Sequence, residues 1–161
     1  MPGQKDKLLN GFKLKQDHIF NLGDMYKMLF RWFENHGYKF SEKEYRYHGQ
    51  GDHVEIVWHA EKDLDNYTKI ELDINFLLIG LQKVDIEQEG VKTKSNKGSI
   101  EIIFDMVLIR DPKDKFSPMI RNIYEKFIIK NRIILLQTEA GEEATELINE
   151  IKSFLQLHKL N

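Results

Sequence analysis

The sequence predicts an α+β fold in which an antiparallel meander of about four strands is flanked by an N-terminal amphipathic helix and two C-terminal helices. Three observations carry this expectation. Apolar residues recur at helical spacing over 25–33, switch to a period of two over 38–108, and return to helical spacing after Ser117.

Residues 1–21 hold isolated apolar points at Leu8, Leu9, Phe12, Ile19 and Phe20, with neither period sustained. They read as a flexible or late-docking arm. From Asp24, a favourable N-cap, the stripe Met25, Met28, Leu29, Trp32 and Phe33 defines the first helix, and Asn35-His36-Gly37 supplies its stop. Tyr38, Phe40, Tyr45 and Tyr47 open the first strand, which the Gly49-Gln50-Gly51-Asp52 turn closes.

The alternation is cleanest in the next two segments. Val54, Ile56, Trp58 and Ala60 oppose His53, Glu55, His59 and Glu61; after the turn Lys62–Asn66, Thr68, Ile70, Leu72, Ile74 and Phe76 oppose Lys69, Glu71, Asp73 and Asn75. Such a pair is a hairpin with one face in the core and one in water. Gly80 marks a bend, Val84, Ile86 and Gln88 continue the alternation, and Lys94-Ser95-Asn96-Lys97-Gly98 is expected to turn the chain. The last strand, Ile100 to Leu108, is apolar on one face and carries Ile103, Val107 and Ile109 on the other, so it is expected to be covered on both sides.

Asp111-Pro112 ends the sheet, and Ser117-Pro118 opens a helix with the stripe Ile120, Ile123, Tyr124 and Phe127. Residues 132–138 are ambiguous and lean to an extended or irregular segment. The final helix aligns Ala144, Leu147, Ile148, Ile151, Phe154, Leu155 and His158, with glutamates early and lysines late as the helix dipole favours. No repeat, low-complexity tract or linker divides the chain, so 1–161 reads as a single domain.

Composition excludes several classes of function. The chain has no cysteine, which removes disulfides, thiolate catalysis and cysteine-ligated metals, and fits a reducing, cytoplasmic setting. The longest apolar runs, Phe76 to Leu81 and Ile133 to Leu136, fall far short of the roughly 20 residues of a spanning helix. A net charge of −2, from 24 basic and 26 acidic side chains, gives no global attraction to nucleic acid. Neither a Gly-x-Ser-x-Gly elbow nor a phosphate loop is present, and Gly49-Gln50-Gly51 leads into a strand rather than a helix.

Three constellations remain. His53, Glu55 and Asp73, with Asn75, share the polar hairpin face, and their imidazole and carboxylates are candidate metal ligands; the plainer reading is a solvated face. His59 lies about 20 Å along the strand from His53 and is left outside this group. Lys92, Lys94 and Lys97 make a basic hairpin tip, and Lys113, Lys115, Arg121, Lys126, Lys130 and Arg132 a second basic region, either of which would suit phosphates. Finally, Ile103, Val107 and Ile109 on the last strand, with Trp32 and Phe33 on the first helix, exceed the needs of one helix layer on one sheet face.

No cofactor is implied by any of these residues. The function expected from the sequence is a non-catalytic interaction or assembly module, a homo-oligomer built through the apolar strand and helix surfaces. The layout is broadly similar to helix-grip and related ligand-binding folds, a likeness of architecture alone. It implies the alternative of a carrier or enzyme that binds a small apolar ligand between the sheet and the last helix. Nucleic-acid binding by the basic hairpin tip is the third reading.

Overall fold

The computed structural model describes residues 4–48 and 53–157. Five strands and the helices between and after them run in the order β1 (Gln4–Phe20), α1 (Leu22–Asn35), β2 (Lys39–His48), β3 (His53–Asp63), β4 (Thr68–Gln88), β5 (Val91–Arg110), α2 (Pro118–Ile123) and α3 (Lys130–Leu157). The sheet is antiparallel with strand order β1-β5-β4-β3-β2, and helices cover one of its faces. This is the expected α+β architecture with one strand more than the sequence predicts.

The added strand is the supposed arm. Residues 4–20 pair with β5 along their length, but the register shifts between Lys7 and Leu9 and again between Asn10 and Phe12. Each shift inserts one residue and reverses the parity of the side chains. The residues that meet the inner face of β5 are therefore Asp6, Leu9, Phe12, Leu14 and Gln16, a series with no constant period. The second bulge is held by the Gly11 amide, which donates to the Asp105 carboxylate at 2.8 Å.

Helix α1 begins at Leu22. Its cap is Asn21, whose side chain accepts from the Asp24 amide, rather than Asp24 itself. Met25, Leu29, Trp32 and Phe33 are buried as the spacing predicts, and aromatic contacts join α1 to the far side of the sheet: Phe33 stacks on Phe40 at 5.4 Å and Tyr26 meets Trp58 at 4.6 Å. The predicted turn at Gly49–Asp52 and the C-terminal His158 lie outside the described residues.

Helix α3 is continuous through 132–138, where an irregular segment was expected. Ile133 and Leu136 point inward, followed at helical spacing by Ala140, Ala144, Leu147, Ile151 and Leu155, whereas Ile134 and Leu135 stay half-exposed. The run of four apolar residues thus conceals an ordinary helical stripe. Hydrogen bonds from Gln137 to Asp6 and from Gln16 to the Leu155 carbonyl lay α3 along β1, and Lys62 on β3 and Tyr38, just before β2, both donate to Glu143 in the middle of α3.

The β4–β5 hairpin also departs from expectation. Residues 94–98 lie within β5, and the chain turns instead at Glu89-Gly90, where both residues have positive φ. Among the described residues, the two strands beyond Gln82 and Asn96 pair only with each other, and the hairpin leaves the sheet as an arm. Gly98 sits at its root, where a Cβ would lie 2.9 Å from the Ile79 carbonyl oxygen.

Candidate functional site

The register of β3 and β4 decides the fate of the predicted metal group. Glu55 lies opposite Leu77 and His53 opposite Ile79, whereas Asp73 lies opposite His59. His53 and Glu55 are therefore not brought to Asp73. The residue left out of the group, His59, takes its place beside that carboxylate: Nδ1 is 2.6 Å from Asp73 and Nε2 is 3.2 Å from Glu61.

His59, Glu61 and Glu71 offer ligand atoms within 4.8 Å of one another, the geometry a divalent ion would need. A cation already serves them, because the Lys69 ammonium lies 3.1 Å from Glu61 and 3.7 Å from Glu71. Partial burial opposes charge on His59, but its hydrogen bonds to Asp73 and Glu61 prevail and raise its pKa above the ordinary imidazole value. Glu61 is lowered by the hydrogen bonds from His59 and Lys69. The cluster reads as an ion-paired patch of the open sheet face.

The structure separates the candidate interface residues. Trp32, Phe33 and Ile109 are buried within the single chain, and of the five only Ile103 and Val107 are partly exposed on the open face of the sheet. Both have polar neighbours across the strands: Ile103 lies between Lys13 and Asn75, Val107 between Lys7 and Glu71.

The basic tip is likewise compensated. Lys92 and Lys94 are exposed, but the register sets them opposite Glu87 and Asp85; Lys97 lies opposite Gln82. Between the sheet and α3, Phe104, Met106, Leu147 and Ile151 are each at most 1% exposed and occupy the ground that a ligand beneath the last helix would take. An aromatic groove of about 440 Å³ lies elsewhere, between α1 and β2–β3, walled by Tyr26, Phe30, Phe40 and Trp58 with Lys27 and Arg31 above. The Tyr26 hydroxyl is buried without a hydrogen-bond partner among the described residues, and burial together with Glu42 pushes its pKa up.

The feature missed by sequence reasoning is the segment that joins α2 to α3. The stripe Ile120, Ile123 and Phe127 reads as a buried face, yet the structure turns it outward: Phe127 is 80% exposed and Ile128 68%, beside Met119, Ile120 and Ile123. Ile134 and Leu135 continue the surface into α3. The polar side faces the body instead. Arg121 is buried against the Asp111 carboxylate, with Nε at 3.2 Å and Nη2 at 3.1 Å, and Asp114 also accepts from it.

Four residues on, Glu125 accepts from the Tyr67 hydroxyl at 2.5 Å and pairs with Arg110, which is also held by Asp6. A π turn over Tyr124–Ile128 sits at the centre of this segment, closed by the Ile129 amide donating to the Tyr124 carbonyl. Its wide turn keeps Glu125 inward while Phe127 and Ile128 project outward. Lys126 and Lys130 border the ridge, and with Phe127, Ile134 and Arg110 they line an open groove of about 660 Å³.

The outward stripe had one signal in the sequence. Its inner neighbours, Arg121 and Glu125, are spaced to meet Asp111 and Arg110 at the end of the last strand, and a charge-paired helix face competes with an apolar one for the interior. Neither a protein-family model nor a curated protein matches the chain. Among the described residues, no helix is long and apolar enough to cross a membrane.

Proposed function

We propose that this chain is a non-catalytic docking module that attaches through the α2–α3 ridge to a surface apolar at its centre and anionic at its edge. The observation that carries this reading is the exposure of Met119, Ile120, Ile123, Phe127 and Ile128 as one apolar stripe on a folded domain. Large contiguous apolar patches are uncommon on surfaces that meet only water, because each such side chain is more stable removed from it. The exposed lysines 113, 115, 126 and 130 give the ridge a cationic border.

Site-specific photo-crosslinking in intact cells tests the reading. A photoreactive residue at Phe127 should crosslink strongly, and one at Tyr45, which is 59% exposed on an edge strand, should not. Equal yields at the two positions would overturn it. Self-association is a second reading, supported by the partly exposed Ile103 and Val107 on the open sheet face. It expects a multimer by light scattering that Val107→Asp reduces to a folded 19.1 kDa monomer.

A further inference from the structure

We infer that the surface on which this ridge seats is an anionic lipid bilayer, an inference that rests on the docking reading above. Charge is the first argument. Residues 113–132 contain six cationic side chains and two anionic ones, Asp114 and Glu125, and both anions are engaged by arginines, Arg121 and Arg110. Lys113, Lys115, Lys126 and Lys130 are exposed and make no ion pair among the described residues. A cationic field is thus concentrated at this end of a chain whose net charge is −2. A second copy meeting the ridge about a two-fold axis would set these lysines against their own kind, whereas anionic headgroups complement them.

Shape is the second argument. The two most exposed apolar side chains, Phe127 at 80% and Ile128 at 68%, are adjacent and project from one turn, so they can enter acyl chains without a shaped cleft to receive them, while the groove beside Phe127 opens on its flank toward Arg110 and Gln137. A helix lying in the interface would bury Met119, Ile123, Phe127 and Ile128 among the acyl chains. Lys126 and Lys130 would extend their apolar stems alongside and raise their ammonium groups to the phosphates. Attachment would be peripheral, through one face of a helix.

Co-sedimentation of the full chain with vesicles tests the inference. Vesicles of phosphatidylcholine containing one third phosphatidylglycerol should pellet the protein, and pure phosphatidylcholine should bind it at least about tenfold more weakly. Lys126→Glu with Lys130→Glu, or Phe127→Ser with Ile128→Ser, should each lose about tenfold or more while the melting temperature stays at the wild-type value, and about 0.5 M salt should weaken wild-type binding.

Wild-type protein that stays in the supernatant with the anionic vesicles, or variants that bind as well as wild type, would overturn the inference. If vesicle binding is absent while Phe127 still crosslinks in cells to a protein, the partner is an acidic protein surface: the bilayer is excluded and the docking reading stands. Absence of both results removes both.

Discussion

Asp111 accepts two hydrogen bonds from the Arg121 guanidinium at the corner where β5 ends and the ridge begins. The same carboxylate accepts from the backbone amides of Lys115 and Phe116, at 2.9 and 3.1 Å. One side chain thereby fixes the direction in which α2 leaves the sheet, and so the outward aim of Phe127.

A pH dependence follows from this arrangement. Burial alone would raise the Asp111 pKa, but the two amides and Arg121 outweigh it and hold the group below the ordinary carboxylate range. A folded pKa below the unfolded value of about 3.9 contributes stability that is present above that pH and lost as pH falls through the folded pKa. Asp111→Asn tolerates the positive φ at this position, removes the charge and turns one of the two acceptor oxygens into a donor. Its melting temperature should fall several degrees below wild type at neutral pH, with the difference narrowing as pH falls through the lowered folded pKa of the wild-type carboxyl. A constant difference across that range would show that Arg121 draws nothing from the ionised form.

His59 has the opposite sign. Its folded pKa is raised by Asp73 and Glu61, so its stabilising contribution is complete below about pH 6.5 and is lost as pH rises through the folded value. Histidine NMR titration should place His59 above the ordinary midpoint, and Asp73→Asn should bring it down. An unchanged midpoint in that variant would assign the shift to Glu61 alone.

The same cluster makes a prediction about metals. Lys69 holds the position between Glu61 and Glu71 that a divalent ion would take, and an ammonium at 3.1 Å repels a second cation. Added zinc or a chelator should therefore leave the melting temperature of the wild-type protein unchanged. A rise with zinc would mean that the ion displaces Lys69 and that the patch is a binding site after all.

These features differ in how far the sequence discloses them. Strand β3 and strand β4 as far as Leu78 were legible because their alternation is unbroken there and one face is buried. The parity reversals at Lys7/Leu9 and Asn10/Phe12 hide β1, since a period cannot be read across a bulge that reverses it. The pairing of His59 with Asp73 depends on the register, which the turn between β3 and β4 fixes and composition does not. The sequence pattern of α2 points to the opposite orientation. Its apolar stripe is real, but the buried pairing of Arg121 with Asp111 and the engagement of Glu125 by Tyr67 set which side faces inward, and both partners are distant in pattern though near in space.

Gly98 provides a test of the hairpin arm. Its φ of +157° and the approach of the Ile79 and Gly80 carbonyl oxygens, at 2.9 and 3.0 Å from the position of a Cβ, leave no room for a side chain. Gly98→Ala should cost on the order of 1–3 kcal/mol in a denaturant titration. Amide exchange should speed up at 82–97 before it does in the central strands. A neutral substitution would mean that the strands separate without loss at the register shift between Ile79 and Gln82, and that the arm is not fixed to the sheet at this point.

The ridge itself predicts a contrast between two phenylalanines. Phe104 lies at the centre of β5 with no exposed surface, against Phe12 with ring centroids 6.3 Å apart, and Phe104→Ala removes buried apolar volume that its neighbours cannot refill. That substitution should cost about 3–5 kcal/mol. Phe127→Ser removes a side chain that is already four-fifths in water and should change stability by no more than about 0.5 kcal/mol. The comparison is informative because both residues are aromatic and both lie on predicted apolar stripes, so only burial separates them. Should Phe127→Ser prove as costly as Phe104→Ala, the α2–α3 segment packs against the body in solution, and the ridge is not available for docking.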